Sequence, residues 1–351
     1  MQQITSNAPS DTIVDYMVFI GRFQPFHIGH KEVIDAALKL AKKVVILVGS
    51  SNQPRTIKNP FTFEERKHMI LSNYGETDRL IIEPLRDQRY NDQVWAASVQ
   101  TTVNDAVLRS FGWTDKPLKG GIIGHLKDET SYYLKLFPQW ERIEHFINEV
   151  VNATDIRKLY FESNIKYISN VVPMSVYHDL ARFSISDEFK NLAAEQAFVN
   201  AYKKAWDAAP YAPTFLTCDA VVVQSGHVLL IKRKAAPGKG LLALPGGFVG
   251  QTERIEDAMI RELREETKIR VPGPVLRGSI KDKAVFDQPA RSLRGRTVTE
   301  AFYIELQSGE LPVVKGGDDA ESATWIPLSS VREEDMFEDH FSIISYFLGK
   351  I

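Results

Sequence analysis

The sequence predicts two domains in tandem: an open α/β domain built on a parallel sheet, then an α+β domain. Three observations lead there. Residues 16–48 read as strand, helix, strand, the order of a βαβ unit with parallel strands. Residues 214–351 mix strands and helix without regular alternation. Between the two lies a charged helical stretch that ends in the Pro-flanked break Ala209-Pro210-Tyr211-Ala212-Pro213. A length of 351 residues suits two domains. The expected bounds are 14–185 for the first domain, 186–213 for a helical linker and 214–351 for the second.

In chain order, residues 16–20 form a short apolar run stopped by Gly21. Val33, Ile34, Ala37, Leu38 and Leu40 then recur at helical spacing within 29–43. A second apolar run, 44–48, stops at Gly49. Helices are expected over 63–73 and 92–111, and strands over 80–83 and 121–123. Residues 187–208 read as the charged helix. Strands over 216–223 and 227–232 flank Gln224-Ser225-Gly226, a hairpin signal. A helix over 256–268 follows a Gly-rich loop, and later strands are expected near 277–281 and 299–306.

Bulk composition narrows the function classes. Lys and Arg total 43 against 45 Asp and Glu, a net charge of −2, so no broad basic surface for nucleic acid is implied. Cys218 is the only cysteine, which rules out an internal disulfide and a multi-cysteine metal site and suits a reducing compartment. Residues 1–11 are polar and lack the apolar core of a signal peptide, and no apolar stretch is long enough to span a bilayer. A cytoplasmic protein without membrane or nucleic-acid partners is expected, and a homo-oligomer is compatible with these features.

The first candidate site is Gly21-Arg22-Phe23-Gln24-Pro25-Phe26-His27-Ile28-Gly29-His30, between the first strand and the first helix. Ligands of open α/β sheets bind at the carboxyl ends of strands, and a helix N-terminus there offers N–H groups to phosphate. His27 and His30 are three apart and share a helical face. Two imidazoles can donate to phosphoryl oxygens as charge builds in an in-line displacement. For an isolated H-x-G-H, an ordinary strand-to-helix turn explains as much; the full string does not.

That string resembles the nucleotidyltransferase family with the H-x-G-H motif, and specifically the archaeal-type nicotinamide mononucleotide adenylyltransferases. The resemblance implies a Rossmann-like parallel sheet over residues 14–183, with Gly21, Arg22, Phe23, Gln24, His27 and His30 at ATP. Asn152-Ala153-Thr154-Asp155-Ile156-Arg157 resembles the family's second ATP motif, I-S-x-T-x-x-R, with Asn152 where serine is usual. Thr154 would offer a hydroxyl and Arg157 a planar cation to the phosphates. The segments 59–66 and 87–95 are similar to the same family. There the resemblance implies Arg22 and Lys58 near the phosphate of nicotinamide mononucleotide, and Asp87, Tyr90, Asn91 and Trp95 around the nicotinamide. Trp95 would stack on the ring, and a core-facing aromatic is the alternative.

The second candidate site runs from Leu244-Pro245-Gly246-Gly247 through Glu253 to Arg261-Glu262-Leu263-Arg264-Glu265-Glu266-Thr267-Lys268-Ile269. Glu262, Glu265 and Glu266 stand at i, i+3 and i+4, so they share one helical face. Carboxylates so placed repel one another unless a cation sits among them, and oxygen-only ligands favour Mg²⁺ or Mn²⁺. Such a metal activates water and neutralises a diphosphate. A solvated Glu/Arg-rich helix would explain the hexamer alone, but the whole stretch resembles the Nudix box, G-x5-E-x7-R-E-U-x-E-E-x-G-U. Only the terminal glycine is replaced, by Lys268, which is expected to alter the helix end. Glu253 and Arg261 are expected as structural partners. The segment 286–296 resembles the ADP-ribose-directed Nudix branch, and Gly246, Gly247, Arg291, Arg294 and Arg296 would touch ADP-ribose or, for the arginines, close the loop. Asp318, Asp319 and Glu321 are candidates for the general base.

Together the resemblances imply an enzyme that makes NAD from ATP and nicotinamide mononucleotide and hydrolyses ADP-ribose to AMP and ribose 5-phosphate. Two alternatives stand beside this. The second domain would be a sensor of ADP-ribose or NAD without hydrolysis, or the first would adenylylate another acceptor such as phosphopantetheine.

Overall fold

The computed structural model describes residues 13–75, 77–124, 134–144, 152–162 and 165–349. Residues 1–11, read above for a signal peptide, lie outside the described residues. Among the described residues no helix is long and apolar enough to cross a membrane.

The first unit is a five-stranded parallel sheet. Its strands are β1 (Val14–Gly21), β2 (Ala41–Val48), β3 (Leu80–Pro84), β4 (Gly120–Gly124) and β5 (Glu141–Glu144), in the order β3-β2-β1-β4-β5. Chain order reverses beside β1, so the carboxyl ends of β1 and its neighbours form the switch point where such sheets open a crevice. Strands covered on both faces need continuous apolar runs, and Met17, Val18, Val44, Val45, Ile46 and Leu47 are all fully buried. On one face Tyr16, Val18, Ile20, Val45, Leu47 and Ile122 pack with Val99, Val103 and Ala106 of helix α3 (Asp92–Phe111).

Helix α1 covers Ile28–Leu40 and ends three residues before its periodicity suggests. Pairing with β1 already begins at Ala41, opposite Val14, so residues 41–43 join β2 without a loop. Helix α2 (Phe63–Leu71) opens with a reciprocal Thr62–Glu65 capping box, and α4 (Ala153–Phe161) is capped by Asn152 Oδ1 on Thr154 N–H at 2.9 Å. Helices α5 (Met174–Phe183) and α6 (Asp187–Lys204) follow. One compact unit ends at Ala193 and the other begins at Ala194, inside α6; residues 88–90 count with the second.

The second unit has a seven-stranded mixed sheet. Its path is β10 (Ile280–Phe286), β11 (Arg296–Glu305), β6 (Thr214–Gln224), β7 (His227–Arg233) and β12 (Ala320–Pro327), with β8 (Leu242–Ala243) on β7 and β9 (Gly246–Phe248) on β6. Only β11 and β6 run parallel among the pairs described. Helix α7 (Ile255–Thr267) buries Ala258, Met259, Ile260 and Leu263 against Cys218, Ala220, Val222 and Leu229. The strand expected at 277–281 is a correction. Helix α8 (Gly273–Gly278) occupies its start, because prolines at 272 and 274 fix helix-entry φ values and Leu276 is fully buried there. Helix α9 (His340–Leu348) closes the unit.

Lys268 does not alter the end of α7. It takes the left-handed conformation itself, φ 48°, and its N–H bonds Arg264 O at 3.0 Å. An L side chain there costs about 1–2 kcal/mol relative to the right-handed form.

Candidate functional site

The first site grows from the turn after β1. Phe23 holds φ 51° and folds its ring back over Gly21, where a Cβ would lie 2.9 Å from it. Only glycine permits that approach. Gln24 is buried and spans to Phe61, donating to its carbonyl at 2.8 Å and accepting from its N–H at 3.0 Å. These two contacts tie the turn to the loop before α2.

His27 is the N-cap of α1. Its Nδ1 accepts from His30 N–H at 3.4 Å, and His30 Nδ1 accepts from His27 N–H at 3.3 Å. The rings stack at 3.6 Å. Two such acceptor roles leave the proton of each neutral imidazole on Nε2, as a donor. His30 packs among Phe19, Phe23 and Phe26. Burial first, and the neighbouring His27 second, hold its pKa well below the usual 6.5, so it is neutral at physiological pH.

Arg157 reaches the same turn, donating from Nη1 to Gln24 O at 2.7 Å and from Nη2 to Thr154 Oγ1 at 3.2 Å. Burial and then the charge of Arg22 bring its pKa down to about 10, so it stays cationic. Arg22 itself is exposed. The structure thus gathers Gly21, Arg22, Phe23, Gln24, His27, His30, Thr154 and Arg157 around one corner. Lys58 is half-buried in the loop between β2 and α2. Asp87 accepts from Ser50 N–H at 3.1 Å and Ser50 Oγ at 2.8 Å. Asn91 caps α3 through Val94 N–H at 3.0 Å. Trp95 is partly buried, its indole 6.0 Å from the Phe137 ring. Tyr90 is placed differently: its hydroxyl donates to Asp339 Oδ2 and its ring meets Phe286 edge-on at 5.0 Å.

The second site forms where β9 leads into α7. Gly246 pairs with Asp219 and Gly247 with Cys218. A Cβ on Gly246 would lie 2.2 Å from the backbone oxygen of Cys218, so that position admits no side chain, whereas one on Gly247 would lie 2.6 Å from the Glu262 carboxyl and would displace it. Gly246 N–H donates to Glu266 Oε2 at 3.0 Å. Glu253 accepts from Gly250 N–H at 2.7 Å and from Arg261 Nη2 at 2.7 Å and Nε at 3.1 Å. Those bonds, Arg261 first, pull the Glu253 pKa down to about 2.

Arg261 Nη1 also bridges Glu262 at 2.8 Å and Glu265 at 3.0 Å. Burial raises the pKa of Glu262 and pushes that of Glu266 up to about 8; the charges of Glu265 and Asp318 add to the first, and those of Glu262 and Asp219 to the second. Among the described residues, no three carboxylate, imidazole or thiolate groups converge closely enough to hold an ion as they stand.

The three loop arginines part company. Arg291 is fully buried and forms a two-bond pair with Asp339, at 2.8 and 2.9 Å, so it closes the loop. Arg296 donates to Asp287 O and pairs with the Asp287 carboxylate at 3.6 Å. Arg294 lies over the Phe248 ring at 4.9 Å, and its buried Nε has no hydrogen-bond partner. Of the candidate bases, Glu321 takes Lys232 at 3.3 Å, whereas Asp318 and Asp319 lie near enough to influence Glu262 and Arg233 respectively.

Sequence reasoning overlooked two groups. Asp219 is buried beneath Gly246 and accepts from Thr299 Oγ1 at 2.6 Å. A lone acid within the apolar run 218–223 was its signal. Arg233 ends β7 with its guanidinium 4.0 Å over Phe337, close to Glu266 and Glu338.

Comparison with known proteins agrees with this division. A family model described as Cytidylyltransferase-like matches residues 18–159, and one described as NUDIX domain matches residues 214–347. The chain is 37% identical to a bifunctional NMN adenylyltransferase/ADP ribose pyrophosphatase from Francisella tularensis, with TM-score 0.87 over 96% of this chain and 99% of that one. A second structure from that organism, complexed with AMP and a manganese ion, gives 36% identity and TM-score 0.86 at the same coverage. A nicotinamide/nicotinic acid mononucleotide adenylyltransferase from Acinetobacter baylyi is 42% identical over 180 residues, 51% of this chain and 91% of that protein.

Proposed function

We propose, for a chain that belongs to the family of bifunctional NMN adenylyltransferase/Nudix ADP-ribose pyrophosphatases, that its first unit joins ATP to nicotinamide mononucleotide and its second cleaves ADP-ribose. What carries the reading is two separate phosphate-facing sites: a stacked histidine pair at a helix N-terminus beside arginines, with His30 held neutral by burial, and a carboxylate trio in which burial raises the pKa of Glu262 and Glu266.

In the first unit, a phosphate oxygen of nicotinamide mononucleotide attacks the α-phosphorus of ATP. The α–β bridging bond breaks, NAD forms and pyrophosphate leaves with the electron pair. His27 and His30 donate from Nε2 to the phosphoryl oxygens as charge builds, and α1 adds its N-terminal dipole. Arg22, Arg157 and the Thr154 hydroxyl hold the phosphates in line, Gly21, Phe23 and Gln24 shape the turn beneath them, and Lys58 assists on the acceptor side. Trp95 offers the nicotinamide a flat face, with Asp87 and Asn91 at its amide edge. Tyr90 takes no part in this set, because its hydroxyl is committed to Asp339.

In the second unit, water attacks the diphosphate of ADP-ribose, giving AMP and ribose 5-phosphate. Glu262, Glu265 and Glu266 fit a hard divalent cation, Mg²⁺ or Mn²⁺: all donors are oxygens, and two are carboxyls whose ionisation the fold penalises without a counter-charge. Bound there, the ion would supply an acidified water and charge neutralisation. Gly246 and Gly247 let β9 pack closely on β6 and Glu262 beside the substrate, and Arg294, stacked on Phe248, takes a phosphate oxygen. Arg291 and Arg296 shape the loop.

The carboxyl of Glu266 gives a pH test. Its ordinary value is 4.5 and its folded value about 8, so between them the folded chain holds a proton that the unfolded chain has lost. Stability from this group therefore falls as pH rises from 4.5 toward 8. A cation must displace that proton, so its stabilisation grows over the same interval. The rise in thermal midpoint on adding Mg²⁺ is expected to be larger at about pH 8 than at about pH 6; an equal rise would contradict the assignment of Glu266.

Substrate identity is tested with full-length protein, ATP, Mg²⁺ and one acceptor at a time. Nicotinamide mononucleotide is expected to give NAD and pyrophosphate in equal amounts, and phosphopantetheine neither. Product from phosphopantetheine alone would overturn the reading of the first unit.

A further inference from the structure

Arg66, near the start of α2, is 1% exposed, and its guanidinium donates to four backbone carbonyls. Nε donates to Thr62 O at 3.1 Å, Nη1 to Arg22 O and Gly49 O at 2.7 Å each, and Nη2 to Ser50 O at 3.2 Å. The last three carbonyls lie just beyond the carboxyl ends of β1 and β2, at the floor of the corner that holds His27 and His30. Strand-end carbonyls are negative ends of peptide dipoles, and turned toward the crevice they would repel phosphate. Arg66 draws them inward.

A second observation concerns strain. Phe23 and Ser50 both hold φ 51°, a conformation that side chains bearing a Cβ disfavour. The carbonyl just before each of them, Arg22 O and Gly49 O, is gripped by the same Nη1 of Arg66. Asp87 completes the hold by taking the N–H and hydroxyl of Ser50. Backbone in such a state persists only where its surroundings over-determine it, and such strain gathers at ligand clamps. Burial lowers the Arg66 pKa to about 10 against the pull of Asp87, which leaves the guanidinium charged at neutral pH.

We propose that Arg66 is the positioning residue of the triphosphate corner: it touches no phosphate, but it fixes the strand-end backbone so that ATP meets N–H groups and cations in place of carbonyls. The proposal rests on the reading that this corner takes ATP.

The test uses full-length Arg66→Lys and Arg66→Met. Lysine keeps the charge but cannot fork to four carbonyls. Arg66→Lys is expected to raise KM for ATP about tenfold, and Arg66→Met by about a hundredfold, with KM for nicotinamide mononucleotide within about twofold of wild type. A purely structural residue would lower the thermal midpoint and leave that KM split unmoved; unchanged values, or equal rises for both substrates, would overturn the proposal. If Arg66→Met does not fold, Arg66→Lys decides alone. If wild type forms no dinucleotide, the ATP reading fails, and calorimetry with inorganic tripolyphosphate then judges Arg66 separately: weaker binding to Arg66→Lys supports the role, and equal binding rejects it.

Discussion

Glu266→Gln is expected to lower ADP-ribose hydrolysis about 10²–10⁴-fold, the scale of several kcal/mol of metal-assisted charge stabilisation, while NAD synthesis continues at its normal rate. The substitution is mild in shape. Glutamine keeps an oxygen for the Gly246 N–H that now bonds Glu266 Oε2 at 3.0 Å, so β9 and the start of α7 have no reason to move. What disappears is one negative charge from a buried group that already resists ionisation and waits on a cation to ionise fully at neutral pH. AMP release at saturating Mg²⁺ reads the effect. An unchanged rate would remove Glu266 from the mechanism and favour a domain that binds its nucleotide without cutting it.

His30→Ala is expected to do the converse, lowering kcat for NAD synthesis about 10²–10³-fold, the loss typical of one preorganised donor to a developing oxyanion. Two further signs follow from its surroundings. The ring stacks on His27 at 3.6 Å and lies 4.7 Å from Phe23, so its removal also lowers the thermal midpoint of the first unit. And because burial holds the imidazole neutral well below 6.5, the wild-type rate is not expected to fall as pH rises from about 6 to about 8. A fall over that interval would mean that an imidazolium is the working form.

Both sites were visible in the sequence because local spacing places them. A helix puts residues three and four apart on one face, so Glu262, Glu265 and Glu266 declare their grouping without any tertiary knowledge, as do His27 and His30 at the mouth of α1. The strand–turn–helix order around Gly21 was equally local. What escaped is what depends on distant partners. Three of the four carbonyls held by Arg66 are 44, 17 and 16 residues away, and nothing in 59–66 points to them. Arg291 looks like a ligand arginine until Asp339, 48 residues on, occupies it. Tyr90 has the same partner, at a separation of 249 residues. His27 as an N-cap was hidden for another reason: histidine is not among the usual caps, and only the reciprocal bond with His30 makes it one. At Lys268 the missing glycine suggested a changed helix end, yet the lysine adopts the glycine's conformation, because the bonds of residues 315 and 317 to Thr267 O and Glu266 O hold that end in place.

The account stands on two independent corners that hold nucleotide phosphates. The most direct measurement is a crystal of the full-length protein grown with non-hydrolysable analogues of ATP and ADP-ribose, and Mn²⁺. The account predicts the triphosphate against His27, His30 and Arg157, and the diphosphate beside Glu262 and Glu266 with an anomalous manganese peak between them. Both corners bare, with the nucleotides lodged elsewhere, would contradict it.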